Sequence, residues 1–370
     1  MSKNIDPIPF TELVERVSEI ARERADVQPK IRGYVNDVYL REIVRKWDWN
    51  FLLVGSTITT RPSYSTGTLS ANTGATSVIF SSDVSLDATY TGSQLRINGN
   101  DVVYNCVYQS ATSLTIQPPI SGNINISNAS YNLYFPFYSL PADFDRYPKN
   151  GGFANWLGGN QKVIQETPFQ EWGINYSSNP SDTPERIRII GADTAGNQIL
   201  EINPPPKTAK SYLNNYFQSL LPMNETTAGL IGNISSGGIN VLGDTNCRFT
   251  QAGTGYYFRI NALGKSNDSL WYRIISIQND SALTLQTAFA TTGVTSAQYT
   301  ICSAPQMPIK LHPAVLYGAV LQATIDQTDP MFASYNMKLA EVLSDGKRLY
   351  VSRVYNQDIH TLAEDWMYRR

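Results

Sequence analysis

The stretch "TGSQLRINGNDVVYNCVYQSATSLTIQ" at residues 91–117 decides the fold prediction, because a distant part of the chain repeats its pattern. Residues 254–286 read "TGYYFRINALGKSNDSLWYRIISIQNDSALTLQ". Both stretches contain Thr-Gly, then Arg-Ile-Asn, then an alternating apolar run, then Leu-Thr-x-Gln. Alternation of apolar and polar residues is typical of strands with one buried face. We therefore predict two antiparallel β modules that are related as an internal repeat.

The two copies differ in the lengths of their connections. The turn after Arg-Ile-Asn is five residues longer in the second copy. One further residue, which we interpret as a bulge, separates Tyr272 from Leu283. Asn98-Gly99-Asn100 has the composition of a tight hairpin turn in the first copy.

A helical period of apolar residues occupies both ends of the chain. It predicts helices over about 10–24, 30–47, 312–327 and, from Asp329-Pro330, to about 343. Because helices at the two ends of a chain can pack together, we predict an α+β fold. In this fold a helical bundle of N- and C-terminal helices carries the two inserted β modules.

Six segments follow from this organisation. They are the N-terminal helices of the bundle (1–60), the first inserted β module (61–140), a connecting β hairpin with crossing segments (141–222), the second inserted β module (223–305), the C-terminal helices (306–348) and a C-terminal arm (349–370).

Composition excludes several classes of function. The chain has 370 residues, of which 42% are hydrophobic and only 16% charged, and its net charge is −2. A near-neutral balance disfavours a protein that grips nucleic acid through phosphates. With no apolar run of about 18 residues and no apolar signal segment at the start, we expect a soluble protein made in a cytoplasm, with no membrane partner.

The residues offer little reactive chemistry. Cys106, Cys247 and Cys302 are widely spaced and form no Cys-x-x-Cys pair, so buried free thiols are expected. His312 precedes Pro313 at a predicted helix start, where a structural role is favoured over catalysis. No nucleophile motif, phosphate loop or zinc motif occurs. We expect no enzyme activity, no cofactor and no metal.

Asp143 and Asp145 in "LPADFDR" allow two interpretations. They could act as paired acids, or they could form a turn or a salt bridge between subunits with Arg146. The second interpretation is favoured, because no group that would perturb their pKa can be named.

Aromatic residues mark three candidate interaction regions. Trp47 and Trp49 would close the helical core at a helix end or contribute to a subunit interface. Tyr256, Tyr257 and Trp271 would make outward contacts from the second module, and a sugar platform is the alternative. The polar C-terminal arm keeps aromatic and cationic residues that would anchor it on a partner, namely Tyr350, Tyr355, His360, Trp366, Tyr368, Arg369 and Arg370.

Several segments, taken in order, resemble the tailed-bacteriophage head-to-tail adaptor family, also called connector, head-completion or neck proteins. The resemblance rests on "YVNDVYLREIVRKWDWNFLL", the first β module from "TGTLSANTGATSVIFSS" to "SLTIQPPI", "YSLPADFDR", "ILEINPPPKTAKSYLNNYF" and "LHPAVLYGAVLQATIDQTDPMFASYNMKLAEVL". These segments contain no catalytic residues, and their order carries the likeness. The second β module departs from the simplest members of the family.

The resemblance implies a structural virion protein at the head-tail neck, made in the host bacterial cytoplasm. Such a protein forms a ring, commonly of twelve copies, beneath the portal protein. The ring extends the channel through which double-stranded DNA passes non-specifically, and it receives tail, nozzle or fibre proteins. By the same resemblance the segment from about Leu349 to Arg370 would dock on the portal.

A glycan-binding, tail-associated adhesin is the alternative from a different class. It would be rich in β structure, and it would use aromatic side chains of the second module to hold sugar. Stoichiometry separates the two hypotheses, because adhesins are usually trimers and bind without a portal.

Overall fold

The computed structural model describes residues 7–21, 26–121, 125–148, 151–157, 160–167, 181, 186–226, 231–234, 238–261, 270–289, 294–324 and 330–351. The chain forms two compact units. The first unit comprises Met1–Phe51 and Leu220–Arg353, and the second comprises Leu52–Ser219 and Val354–Arg370.

All four α-helices of the described residues belong to the first unit. They are α1 (Phe10–Ile20), α2 (Ile31–Asp37), α3 (His312–Ala323) and α4 (Pro330–Tyr350). A π-helix, Val38–Val44, continues α2 directly. Short 3-10 turns at Gln28–Lys30 and Ile309–Leu311 precede α2 and α3. Helix α1 forms because Phe10, Leu13 and Val17 recur at helical spacing and are all buried.

The described residues contain 23 strands, numbered here in chain order. They are β1 (Leu53–Thr59), β2 (Leu69–Ala71), β3 (Ser77–Phe80), β4 (Gln94–Ile97), β5 (Val103–Ser110), β6 (Ser113–Gln117), β7 (Ile126–Ala129), β8 (Tyr131–Tyr134), β9 (Phe137–Ser139), β10 (Phe144–Arg146), β11 (Phe153–Leu157), β12 (Asn160–Glu166), β13 (Arg186–Ala192), β14 (Gln198–Asn203), β15 (Ser211–Gln218), β16 (Glu225–Thr226), β17 (Ile231–Ile234), β18 (Asn240–Gly243), β19 (Tyr257–Ile260), β20 (Tyr272–Asn279), β21 (Ala282–Leu285), β22 (Val294–Ala297) and β23 (Tyr299–Cys302).

Two of the three sheets have the same strand order. The sheet of the first module runs β7-β2-β3-β6-β5-β4-β8. The sheet of the second module runs β22-β17-β18-β21-β20-β19-β23, with β16 added beyond β23. Every pairing in both sheets is antiparallel. The duplicated sequence pattern thus corresponds to a duplicated strand topology.

Hydrogen bonds fix which residues of the two modules are equivalent. The Gly92 amide donates to the Cys106 carbonyl at 2.8 Å, and the Gly255 amide donates to the Ile274 carbonyl at the same distance. Both glycines have positive φ, 85° and 88°, which a residue with a Cβ rarely adopts. These two matching bonds show that Cys106 in the first module is equivalent to Ile274 in the second.

The extra residue of the second copy lies in β20. Cys106 and Val107 pair with Ile116 and Thr115 in consecutive register. In the second module the register shifts between Ile274 and Ser276, so Ile275 and Ser276 together lie opposite Thr284, where the first module has Val107 alone opposite Thr115. The prediction of a bulge between Tyr272 and Leu283 is confirmed.

Each module has its own apolar core under one face of its sheet. Alternation in β5 and β6 buries Tyr104, Cys106, Leu114 and Ile116. The corresponding core of the second module includes Phe258, Tyr272, Ile274, Leu283 and Leu285. A two-residue period with one face buried is what specifies the register of such strands.

The third sheet belongs to the second unit and runs β1-β15-β11-β12-β13-β14-β9, with β10 also pairing with β15. Strands β12 and β13 pair in parallel, whereas the remaining pairs are antiparallel. Phe153 and Tyr212 stack in its core, with ring centroids 5.1 Å apart. Glu201 is buried there and accepts a 2.6 Å bond from Arg188 Nε.

The prediction of a helical bundle with inserted β modules is wrong. The described residues form mostly antiparallel sheets, with four α-helices of 11, 7, 12 and 21 residues. Helix α1 contacts β structure as well as other helices. Its Phe10 amide donates to the carbonyl of Ser303, the residue directly after β23, at 2.8 Å. The helical period at the chain ends correctly indicated helices. It did not indicate that most of the described chain forms sheets or that α1 contacts one of them.

Candidate functional site

An aromatic cluster fixes the end of α4. Trp49 is fully buried, and its indole Nε1 donates to the Ile43 carbonyl at 2.8 Å. Its ring stacks on Phe51 with centroids 5.7 Å apart, and Phe51 meets Tyr350 edge-on at 6.4 Å. A β-bridge between Trp49 and Val351 adds a backbone link. The segment that follows Val351 therefore starts from an anchored point.

Trp47 lies at the same end of the helices. The Nζ atom of Lys347 lies 3.3 Å from the centre of the Trp47 ring, which is a cation–π contact. Burial lowers the pKa of the Lys347 ammonium, and the nearby charge of Lys46 lowers it further. Gly346 permits α4 to pack closely on Leu311, since a Cβ there would collide with Leu311 Cδ2.

Of the residues predicted to anchor the docking arm, Tyr350 alone lies in the described part of the chain. Tyr350 is half-buried against Phe51. The remaining predicted arm residues lie outside the described residues, namely Tyr355, His360, Trp366, Tyr368, Arg369 and Arg370.

Asp143, Asp145 and Arg146 lie at β10 in the second unit. The Asp143 carboxylate accepts a 2.7 Å bond from the Tyr216 hydroxyl. Asp145 forms a 2.5 Å ion pair with Arg146, whose guanidinium lies 4.9 Å from the centre of the Phe217 ring. Each carboxylate therefore has its own partner within the chain, and the Asp143–Tyr216 bond and the Arg146–Phe217 contact join the β10 segment to β15.

Tyr256 and Tyr257 line a cleft of about 350 Å³ in the first unit. Arg273, Gln306 and His312 contribute to the same cleft. Both tyrosines are half-buried, and Tyr256 packs against the core of the second module. They are therefore partly engaged in holding the module together.

Trp271 covers an ion pair between α1 and the second module. The Arg259 guanidinium lies 4.5 Å from the centre of the Trp271 ring. Its two terminal nitrogens donate to the two Glu15 oxygens at 2.9 Å and 2.5 Å. Bidentate pairs of this kind fix geometry as well as charge.

Sequence reasoning missed a second link between the helices and the module. The Glu225 carboxylate of β16 accepts a 2.7 Å bond from the Thr11 hydroxyl and forms an ion pair with Arg32. No local pattern could have indicated it, because Thr11 and Glu225 are 214 residues apart.

His312 is a structural residue. It is buried, its Nδ1 accepts a 3.0 Å bond from the Ile8 amide, and its Nε2 lies 3.2 Å from the Met307 carbonyl. The first bond requires an unprotonated Nδ1, and the second then requires the hydrogen on Nε2. Burial lowers the pKa of His312 below its usual range, so the ring is neutral near pH 7.

The three cysteines are buried free thiols. Burial raises the pKa of Cys106 to about 12 and that of Cys302 to about 11, so neither is a thiolate near pH 7. Within the described ranges no three His, Cys, Asp or Glu side chains converge as metal ligands would. Among the helices that the structure describes, none has both the length and the hydropathy to cross a bilayer.

Comparison with known proteins does not assign a family. No family model matches the chain, and no curated protein matches it. Among solved structures, the apo form of translation elongation factor SelB from Methanococcus maripaludis aligns with 69% of this chain at 8% identity. The alignment spans 64% of the SelB chain with a TM-score of 0.15, a value too low to indicate a shared fold.

Proposed function

We propose that the protein is a head-to-tail adaptor of a tailed bacteriophage, a structural ring protein that binds beneath the portal. In this role the ring, of about twelve copies by the family resemblance, extends the DNA channel and provides the attachment surface for the tail. The free protein is made in the host cytoplasm and acts in the virion neck. The ordered resemblance of five sequence segments motivates the proposal.

The anchored end of α4 is the structural observation that supports it best. Trp49, Phe51 and Tyr350 hold the last described helix where residues 352–370 follow. An arm that docks on another protein needs a fixed origin, because a fixed origin lowers the entropy lost when the arm binds. The sequence after this origin contains Trp366 and three arginines, Arg353, Arg369 and Arg370, which are residue types that anchor interfaces.

The charges of the helices also suit a channel protein. Arg16, Arg41, Lys46 and Arg348 each form an ion pair within their own helix or helix end, with Glu12, Asp37, Glu42 and Asp345. Paired cations present a weaker attraction to phosphate than an uncompensated basic stripe would. DNA that must pass freely through a ring should meet such a surface.

Deletion of residues 357–370 tests the docking role. We expect the truncated protein to keep its melting temperature and circular dichroism spectrum and to lose at least tenfold in affinity for the purified portal protein. A variant in which a Gly/Ser segment of equal length replaces 357–370 separates side-chain contacts from arm length. Unchanged portal binding by both variants would refute the docking role of the arm.

A further inference from the structure

The two modules expose an aliphatic side chain at the same place. Ile79 of β3 is 62% exposed, and Leu242 of β18 is 53% exposed. Each is the third residue of its strand, and each strand pairs with the equivalent neighbour, β6 or β21. The neighbours Phe80 and Gly243 donate equivalent bonds, to the carbonyls of Thr112 and Ser281, at 2.8 Å.

A second equivalent pair lies two strands away. Val107 of β5 is 53% exposed, and Ile275 of β20 is 51% exposed. Each directly follows the residue whose carbonyl receives the glycine bond described above, Cys106 or Ile274. The bulge of the second module places two residues, Ile275 and Ser276, where the first module has Val107, and Ile275 is the exposed aliphatic residue of the two.

The other outward residues of β3, β5 and β6, and of β18, β20 and β21, are mostly polar and uncharged. We call the surfaces the outer faces of the two modules. The first outer face contains Ser77, Ile79, Asn105, Val107, Ser113, Thr115 and Gln117, and the second contains Asn240, Leu242, Arg273, Ile275, Ala282, Thr284 and Gln286. Arg273 is the one charged residue among these positions.

Single exposed aliphatic side chains are ordinary on protein surfaces. Here the outward positions around them differ between the copies, as Asn105 against Arg273 and Ser113 against Ala282, yet both aliphatic positions recur. The recurrence is the observation that a shared role of the two outer faces would explain. Charge-poor sheet surfaces with exposed aliphatic residues are suited to packing against another sheet.

We propose that the outer face of the first module in one copy packs on the outer face of the second module in the next copy. The chain itself carries two equivalent faces, so a second copy supplies a surface with the same strand order and with exposed aliphatic residues at the same places. Each copy would use one face on each side, which is the head-to-tail contact that closes a ring. The inference rests on the proposed function, because it names the surfaces that hold that ring.

Cross-linking between two single-cysteine variants tests this pairing. Ile79→Cys protein is mixed with Leu242→Cys protein, assembled with the portal, and treated with a bismaleimide whose spacer is about 10 Å, the spacing of packed sheets. The same treatment is applied to the concentrated free protein. The native cysteines are buried and should not react.

We expect a two-copy product in the mixture and at least fivefold less in either variant alone. Asp101→Cys, at an exposed loop of the first module, replaces Ile79→Cys as the matched control and should give little product with Leu242→Cys. Equal products from each variant alone, or a product within one chain of the Ile79→Cys/Leu242→Cys double variant, would overturn the pairing. Absence of product in both the assembled and the free protein would overturn it as well.

The two proposals fail in different ways. If portal binding and ring formation are normal but no cross-link forms, only the module pairing is rejected. If the protein ignores the portal but the mixed variants cross-link in free solution, the pairing stands and the adaptor function is rejected.

Discussion

Arg259 and Glu15 form a bidentate ion pair that joins the second module to α1. The two nitrogen–oxygen distances are 2.9 Å and 2.5 Å, and the Arg259 side chain is 14% exposed. Trp271 covers the other side of the guanidinium. Because Glu15 and Arg259 are 244 residues apart, this pair links two distant parts of the first unit.

Replacement of Arg259 should loosen this link. We expect Arg259→Ala to lower the free energy of unfolding by about 2 kcal/mol, since it removes a partly buried ion pair and a cation–π contact. Arg41→Ala, which removes an exposed pair with Asp37 on α2, should change stability by less than about 0.5 kcal/mol. Urea unfolding of both variants measures the difference, and equal effects would contradict the structural role of Arg259.

Stability should fall in mild acid because of His312. Burial holds the pKa of His312 in the folded protein below the value of about 6.5 expected in the unfolded chain. Below that value the unfolded chain binds more protons than the folded protein, so the free energy of unfolding decreases as pH falls. The stabilisation is therefore fully present well above about pH 6.5 and is progressively lost as the pH falls below that value.

The two histidines of the chain provide a matched control. His312→Gln should be less stable than the unmodified protein at about pH 7.5, because the bonds to Ile8 and Met307 are disturbed, and its stability should depend less on pH between about 7.5 and 5.5. His360→Gln should keep the original dependence. A slope that disappears with His360→Gln and persists with His312→Gln would show that His312 is not the group responsible.

Two helical glycines should respond to alanine with opposite signs. In Gly318→Ala of α3 the new Cβ would lie 2.5 Å from Val38 Cγ1, a buried and stiff side chain, so we expect a loss of about 1–3 kcal/mol. At Gly33 of α2 an added Cβ would meet no atom within 4 Å, so Gly33→Ala should gain about 0.5–1 kcal/mol from helix propensity. Thermal unfolding compares the two variants. A gain in Gly318→Ala would contradict the close contact between α3 and the π-helix.

Local patterns identified the strands of the repeat and one further hairpin. The connecting hairpin predicted within residues 141–222 is present as β13 and β14, in which Ile187, Ile189 and Ile190 lie opposite Ile202, Leu200 and Ile199. Such pairs are encoded locally, by alternation and by turn residues between neighbouring strands. The same reasoning predicted a bulge between Tyr272 and Leu283 from one extra residue between matched motifs, and the structure has a register shift there, between Ile274 and Ser276.

The strand pairing of the third sheet could not be predicted from local sequence patterns. Its longest pairing joins β1 to β15, from Leu53 opposite Phe217 to Thr59 opposite Ser211, and no local signal states which distant strand a strand will meet. The helix predicted over 30–47 also differs, because it changes to π geometry at Val38 and ends at Val44. The apolar spacing there suits either helix type.

The sequence predicted which residues belong to the candidate site, but it did not predict which of them contact each other. Trp47, Trp49 and Tyr350 were chosen from the sequence as separate features, whereas the structure brings Trp49 and Tyr350 together through Phe51. The links made by Glu15 and Glu225 depend on tertiary proximity and were not foreseen. The equivalent exposure of Ile79 and Leu242 can be recognised only when the alignment of the two repeats is combined with the exposed fraction of each side chain.

The most direct measurement of the adaptor function is the mass and symmetry of the complex formed with the portal protein of the same phage. Purified protein and portal are mixed, weighed by mass photometry and classified by electron microscopy. The account predicts a ring of about twelve copies stacked coaxially on the portal. A stable trimer that ignores the portal would contradict it and would support the glycan-binding alternative.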